Sequence, residues 1–189
     1  MPRPHSNPPA SDSSRSELSS GSGPEEDDRY VVVNGRRWRR TDPAIPDQLR
    51  SQLVAELMSA RRAVKDATDE DERRLARDRV QDAKVALGER GEKWWEDSTP
   101  DGRATRIAAT ARALLRHRRP GATICPSEIA RVIGGDQWRR RSAEVREAVL
   151  AMAVGSELEV RQRHEPVDPV PAPRGPIRLA LPRGAGEGP

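Results

Sequence analysis

The amino-acid sequence predicts a mainly α protein with short β-hairpins, and three observations carry that expectation. From Tyr30 the chain reads YVVVNGRRWRR, where Asn34-Gly35 after a β-branched run is the strongest short-range signal for a two-residue hairpin. Apolar residues then recur at helical spacing in successive segments, each bounded by charged residues, proline or glycine. The C-terminal part runs helix, short strand, helix, helix and hairpin, the order of a winged helix, a helix-turn-helix variant with a β-wing. The expected organisation is a tail over residues 1–29, a β-hairpin plus antiparallel helical hairpin over 30–95, a linker over 96–103, a winged-helix-like domain over 104–182 and a flexible tail over 183–189.

Residues 1–29 are rich in Ser, Pro, Gly, Asp and Glu and have too little apolar surface to offset the entropy of ordering them, so they read as disordered. In the hairpin, the two-residue turn sets Val33 opposite Arg36, Val32 opposite Arg37 and Val31 opposite Trp38. One face then carries Val31, Val33 and Trp38, and the other Tyr30, Val32, Arg37 and Arg39. Because an isolated hairpin is marginal in water, the Trp38 face is expected to pack, most simply on the helix that follows.

Pro46 suits a first helical turn, and Leu49, Leu53, Leu57, Ala60, Val64 and Ala67 form the stripe of a first helix. Asp69 through Glu72 favour the start of a second, with Leu75, Ala76, Val80, Ala83 and Leu87 as its stripe and Gly88 or Gly91 as its end. The short polar connection implies an antiparallel pair. Trp94 and Trp95 precede the turn-rich EDSTPDG and read as packing anchors between the two halves. A third helix carries Ile107, Ala111, Leu114 and Leu115 and stops before Pro120-Gly121. Thr123-Ile124 is a short strand candidate, and Pro126-Ser127-Glu128 opens a helix that Gly134-Gly135 breaks. The last helix begins between Trp138 and Ser142 and runs to Val154, burying Val145, Ala148, Val149 and Met152. Two strands, over 158–163 and 177–181, flank the proline-rich EPVDPVPAPRGP.

The composition fits small aliphatic cores: 34% of residues are hydrophobic, Phe is absent, and there are 17 prolines and 14 glycines. The net charge of +4 is uneven, with 16 basic against eight acidic side chains over residues 103–184. That excess can attract phosphate or another acidic partner. Nearly all of the basic residues are arginine, and richness in Arg, Ala, Gly and Pro is also the mark of a GC-rich bacterial genome. The single Cys125 excludes an intrachain disulfide, and no apolar run approaches the length of a membrane span, so a cytoplasmic protein is expected. Cys125 and the histidines at 5, 117 and 164 share no metal-ligand or nucleophile spacing. No metal, cofactor or catalytic residue is assigned, and the chain reads as non-enzymatic.

Two functional readings remain. Arg139, Arg140 and Arg141 before the last helix, with Arg161, Arg163, His164 and Arg174 on the wing, suit phosphate contacts with double-stranded DNA. Alternatively, helical phase turns Glu144, Glu147, Leu150, Ala151 and Val154 outward, an acidic then apolar face that suits a protein partner or self-association.

Two stretches also carry resemblances. CPSEIAR, Trp138-Arg139, Val145-Arg146 and Gly175-Pro176-Ile177-Arg178 resemble a bacterial winged-helix-like domain family of unknown function, over about residues 104–182. YVVVNGRRWRRTDPAIP through VALGERGEKWW is similar to an N-terminal module of actinobacterial proteins sometimes labelled biopolymer transporter Tol.

Overall fold

A computed structural model describes residues 26–182; the expectations for residues 1–25 and 183–189 lie outside the described residues. Within the tail read over 1–29, Glu26–Arg29 instead form a short 3-10 turn. The Arg29 carbonyl accepts from the Arg40 N–H at 2.9 Å, which extends the hairpin ladder by one pair, and the Arg29 guanidinium lies over Trp95.

Strands β1 (Tyr30–Val33) and β2 (Arg36–Arg39) pair with Val31 opposite Trp38 and Val33 opposite Arg36, around a turn with Asn34 at φ 50° and Gly35 at φ 72°. The docked face is not the expected one. Tyr30 meets Trp95 edge-on at 5.5 Å, and Arg39 donates to the carbonyls of Gly88, Gly91 and Glu92. Val31, Val33 and Trp38 stay 39%, 50% and 44% exposed, and Trp38 is touched from below by the Lys84 ammonium. The reason is polar: carbonyls beyond a helix end need donors, and Arg39 supplies three bonds that an apolar face cannot.

Helices α1 (Asp47–Asp66) and α2 (Glu70–Ala86) form the helical hairpin. Its turn is set by reciprocal capping. Asp69 accepts from the Glu72 N–H at 2.8 Å, and Glu72 reaches back to the Thr68 N–H and hydroxyl, both at 2.8 Å. Those two donors hold the Glu72 carboxyl below its ordinary value. Leu49, Leu53, Leu57 and Ala60 are buried on α1, and Ala76, Ala83 and Ala86 on α2. The buried carboxylate of Glu56 is satisfied by a bidentate Arg79 at 2.9 and 3.2 Å.

Of the segment read as a linker, residues from Pro100 onward are already helical, in α3 (Pro100–His117). The Thr99 hydroxyl accepts from the Gly102 N–H at 3.0 Å, and Glu92 accepts from the Thr99 N–H at 2.9 Å. A Cβ at Gly102 would fall 2.0 Å from the Glu92 carboxylate, so a larger residue there would have to displace the Glu92 side chain. Beyond the expected stripe, α3 also buries Ala109, Thr110 and Ala113. It packs on α1 and α2 on one side, and on α4 (Pro126–Gly134) and α5 (Trp138–Val154) on the other. One apolar cluster therefore runs from Ile45, Leu53 and Leu87 through Ile107 and Leu114 to Ile129, Val149 and Leu179. Ion pairs follow the same joint: Asp42 meets Arg106 at 2.8 Å, and Asp82 meets Arg112 at 2.8 Å and Arg116 at 2.7 Å.

Between α4 and α5, Gly135 sits at φ 50°, and a Cβ there would meet the Ala44 Cβ and carbonyl at 3.0 Å, so the turn seats against the loop before α1. The second sheet has the order β4 (Glu165–Pro166), β3 (Glu159–Gln162), β5 (Arg178–Ala180), all antiparallel neighbours. The strand expected at Thr123-Ile124 is reduced to one bridge, in which Ile124 and Leu179 exchange bonds of 2.9 Å. Among the described residues, no helix is long and apolar enough to cross a membrane.

Candidate nucleic-acid interface

Arginines on this chain sort by what holds their guanidinium groups. Arg161, with only 15% of its side chain exposed, is held by Glu159, and Arg141 reaches Glu144 at 3.3 Å. A carboxylate-bound guanidinium presents little net charge to an approaching anion. By contrast Arg139, Arg140, Arg163 and Arg174 are exposed and have no carboxylate partner among the described residues. Arg139 is laid over the Trp138 ring at 4.8 Å, with Arg131 on the same ring at 4.9 Å, and Arg140 donates to Gln137 at 3.1 Å. The six arginines expected to act together thus split into four with outward charge and two with structural partners.

The four exposed arginines stand at the start of α5 and on the segments beside β3. Gln162 donates to the carbonyls of Arg174 at 2.6 Å and Pro176 at 3.1 Å, which ties the proline-rich loop to β3. Arg146 of α5 donates to the Pro173 carbonyl, so the same loop is also fastened to the helix. Arg163 and His164 form the two-residue turn between β3 and β4 at φ 50° and 76°. Both are exposed, in a left-handed backbone that L side chains other than Asn, Asp and His seldom adopt. The same chain makes its first hairpin turn from Asn34-Gly35, the residues that suit this backbone.

On the body of α5, Ala143, Glu147, Ala151 and Val154 face solvent, with Val154 59% exposed. Leu150, expected to face outward, is half-buried and packs against the core. Glu144 is no free acid either, because it is shared by Arg103 and Arg141. Arg103 lies far from Glu144 in sequence, so helical phase alone did not reveal the pair; nor did it reveal the Trp138 stack or the Arg146 tether.

Trp94 and Trp95 fasten the first hairpin rather than the last helix. The Trp94 indole donates to the Arg40 carbonyl at 3.1 Å and meets Trp95 edge-on at 5.0 Å. Both line a cleft of about 1150 Å³ with Arg103, Arg106, Arg140 and Arg141. Of its inner cations, Arg106 is paired with Asp42, while Arg103 and Arg141 share the one carboxylate of Glu144. Cys125, half-buried ahead of α4, accepts from the Ser127 hydroxyl at 3.0 Å, and its N–H donates to Glu128 at 2.8 Å. His117 and His164 are exposed on other elements, and no metal-competent group of three or more His, Cys, Asp or Glu occurs among the described residues.

All four outward arginines fall within a stretch that a family model matches. Residues 104–182 match the family model described as Protein of unknown function (DUF3253). The DUF3253 region begins inside α3 and takes in α4, α5 and the three-stranded sheet. It does not reach residues 30–95, and the expected Tol-labelled module there is not shown. No curated protein matches the chain.

Proposed function

We propose that the DUF3253 region is a winged helix that binds double-stranded DNA without catalysing a reaction, with α5 as its third helix and the β3–β5 segment as its wing. Arg139 and Arg140 at the head of α5, with Arg163 and Arg174 on the wing, meet phosphates, while Arg141 and Arg161 hold the fold. The observation that carries this reading is the Arg163-His164 turn. Arg163 and His164 hold a left-handed backbone at an exposed tip and present a cation and an imidazole there, although the chain elsewhere uses Asn-Gly for the same turn. The face of α5 supports phosphate binding over close base reading, since Ala143 and Ala151 offer no hydrogen bonds and Glu147 is the one exposed acid on the helix.

Fluorescence anisotropy of duplex DNA with the full chain, across a salt series, tests the reading. Replacing Arg139, Arg140, Arg163 or Arg174 with Ala should each reduce the slope of log affinity against log salt by about one. Arg161→Ala should lower stability and leave the slope alone. Absence of binding at low salt, or slopes indifferent to all four substitutions, would sink it. The protein-interface reading of α5 keeps only Ala151 and Val154 as exposed apolar contacts, because Leu150 is committed to the core.

A further inference from the structure

We infer that the cleft between the Trp94-Trp95 segment and the heads of α3 and α5 binds a small oxyanion, a phosphate monoester or a carboxylate carried on a compact apolar body. Its volume of about 1150 Å³ and its place at the seam between the N-terminal elements and the DUF3253 region suit a small organic ligand. The inner wall carries an excess of positive charge. Arg29, Arg103, Arg106 and Arg141 are half-buried there, and the carboxylates that meet them are Asp42, on Arg106, and Glu144, shared by Arg103 and Arg141. Two of the four guanidinium charges are left without a counter-charge, in a recess where an anion is held more strongly than in open water.

Donors stand open as well as charges. Arg29 lies over Trp95, and its Nε is the one buried side-chain nitrogen or oxygen without a hydrogen-bond partner among the described residues. Arg103 uses Nε on Glu144 and one terminal nitrogen on the Ser98 carbonyl, while Arg141 uses one terminal nitrogen on Glu144. Each therefore keeps its second terminal nitrogen unbonded among the described residues. Unmet buried donors are rare in folded proteins, and the guanidinium fork matches the paired oxygens of phosphate and carboxylate.

The rim selects a small ligand over nucleic acid. Glu92, Glu96, Asp97 and Asp136 are exposed around the mouth, against Arg90, Lys93 and Arg140, and Lys93 is itself paired with Glu96. A duplex laid into the mouth would bring a row of phosphates against those carboxylates, whereas a single oxyanion passes them and reaches the inner arginines. Ile133 and Trp94, half-buried in the same wall, take its apolar body.

Phenyl phosphate and benzoate are the probes, titrated into the full chain at low salt with tryptophan emission as the readout, since Trp94 and Trp95 line the cleft. Tighter saturable binding of phenyl phosphate assigns a phosphate ester, and of benzoate a carboxylate. Arg141→Gln should weaken binding about tenfold, and Glu144→Gln, which releases both arginines, should tighten it by about as much. Loss of folding cannot produce opposite signs, so if the first variant unfolds the second decides. Arg163→Ala and Arg174→Ala, which do not line the cleft, should leave binding unchanged. No saturable change with either probe up to about 10 mM, affinities indifferent to both cleft variants, or binding lost on Arg163→Ala would overturn the inference.

Discussion

Replacing Arg163-His164 with Asn-Gly should make the protein more stable and a poorer DNA binder. Holding an ordinary L residue in the left-handed region costs roughly 1–2 kcal/mol, and Arg163 at φ 50° bears most of that cost because histidine tolerates the region better. Glycine at 164 relieves the remaining strain but adds about 0.5–1 kcal/mol of unfolded-chain entropy, so the net gain comes mainly from Arg163→Asn and is about 1 kcal/mol. For a chain of this size that gain raises the melting temperature by about 2–4 °C. Neither side chain has a hydrogen bond or ion pair to lose among the described residues, so no compensating loss is expected. Thermal unfolding by circular dichroism reads the first effect. Anisotropy across a salt series reads the second, a slope smaller by about one. A variant no more stable than the parent would refute the strain argument, and an unchanged slope would refute the placement of Arg163 on phosphate.

Two further outcomes follow from the charged joints. Asp82 is 8% exposed and accepts from Arg112 Nε at 2.9 Å, Arg112 Nη2 at 2.8 Å and Arg116 Nη1 at 2.7 Å, and its bonds to Arg112 raise the Arg112 pKa further. Breaking a buried pair costs about 3–5 kcal/mol, and because both arginines are partly solvated Asp82→Asn should cost about 2–3 kcal/mol, read as a lower urea midpoint. A loss below about 0.5 kcal/mol would place the joint's stability elsewhere. At the other end of α2, the Glu72 carboxyl is depressed below 4.5 by its bonds to Thr68, so its contribution is fully present above that value and fades as pH falls through the lower folded value. Glu72→Gln should therefore lower stability at neutral pH and flatten the loss of stability in acid; parallel pH profiles would contradict this.

How legible each feature was depends on how local its cause is. Asn34-Gly35 dictates a register by itself, and the Asp69-to-Glu72 run marks a helix start, so both were readable from neighbouring residues. Gly134-Gly135 likewise broke a helix where expected. The docked face of the hairpin was not readable, because it is decided by carbonyls some fifty residues away that Arg39 reaches. The same holds at the candidate site. Sequence showed three consecutive arginines, but only the fold shows that Arg141 shares Glu144 with Arg103 while Arg139 rests on Trp138. Leu150 illustrates the limit of helical phase, which places a residue by angle and knows nothing of how far a neighbouring element wraps around the helix.

The two-sided burial of α3 has a consequence for the order in which the chain folds. As synthesis proceeds from the N-terminus, α1 and α2 emerge with an apolar seam that neither closes alone, since α3 covers it. Until Ile107 through Leu115 are available, the pair is held mainly by its own short-range contacts. The arrival of α3 closes that seam and at the same time presents the opposite side on which α4 and α5 condense. A single helix thus times both halves, and substitutions along it should slow folding more than equally buried substitutions in β3 or β5.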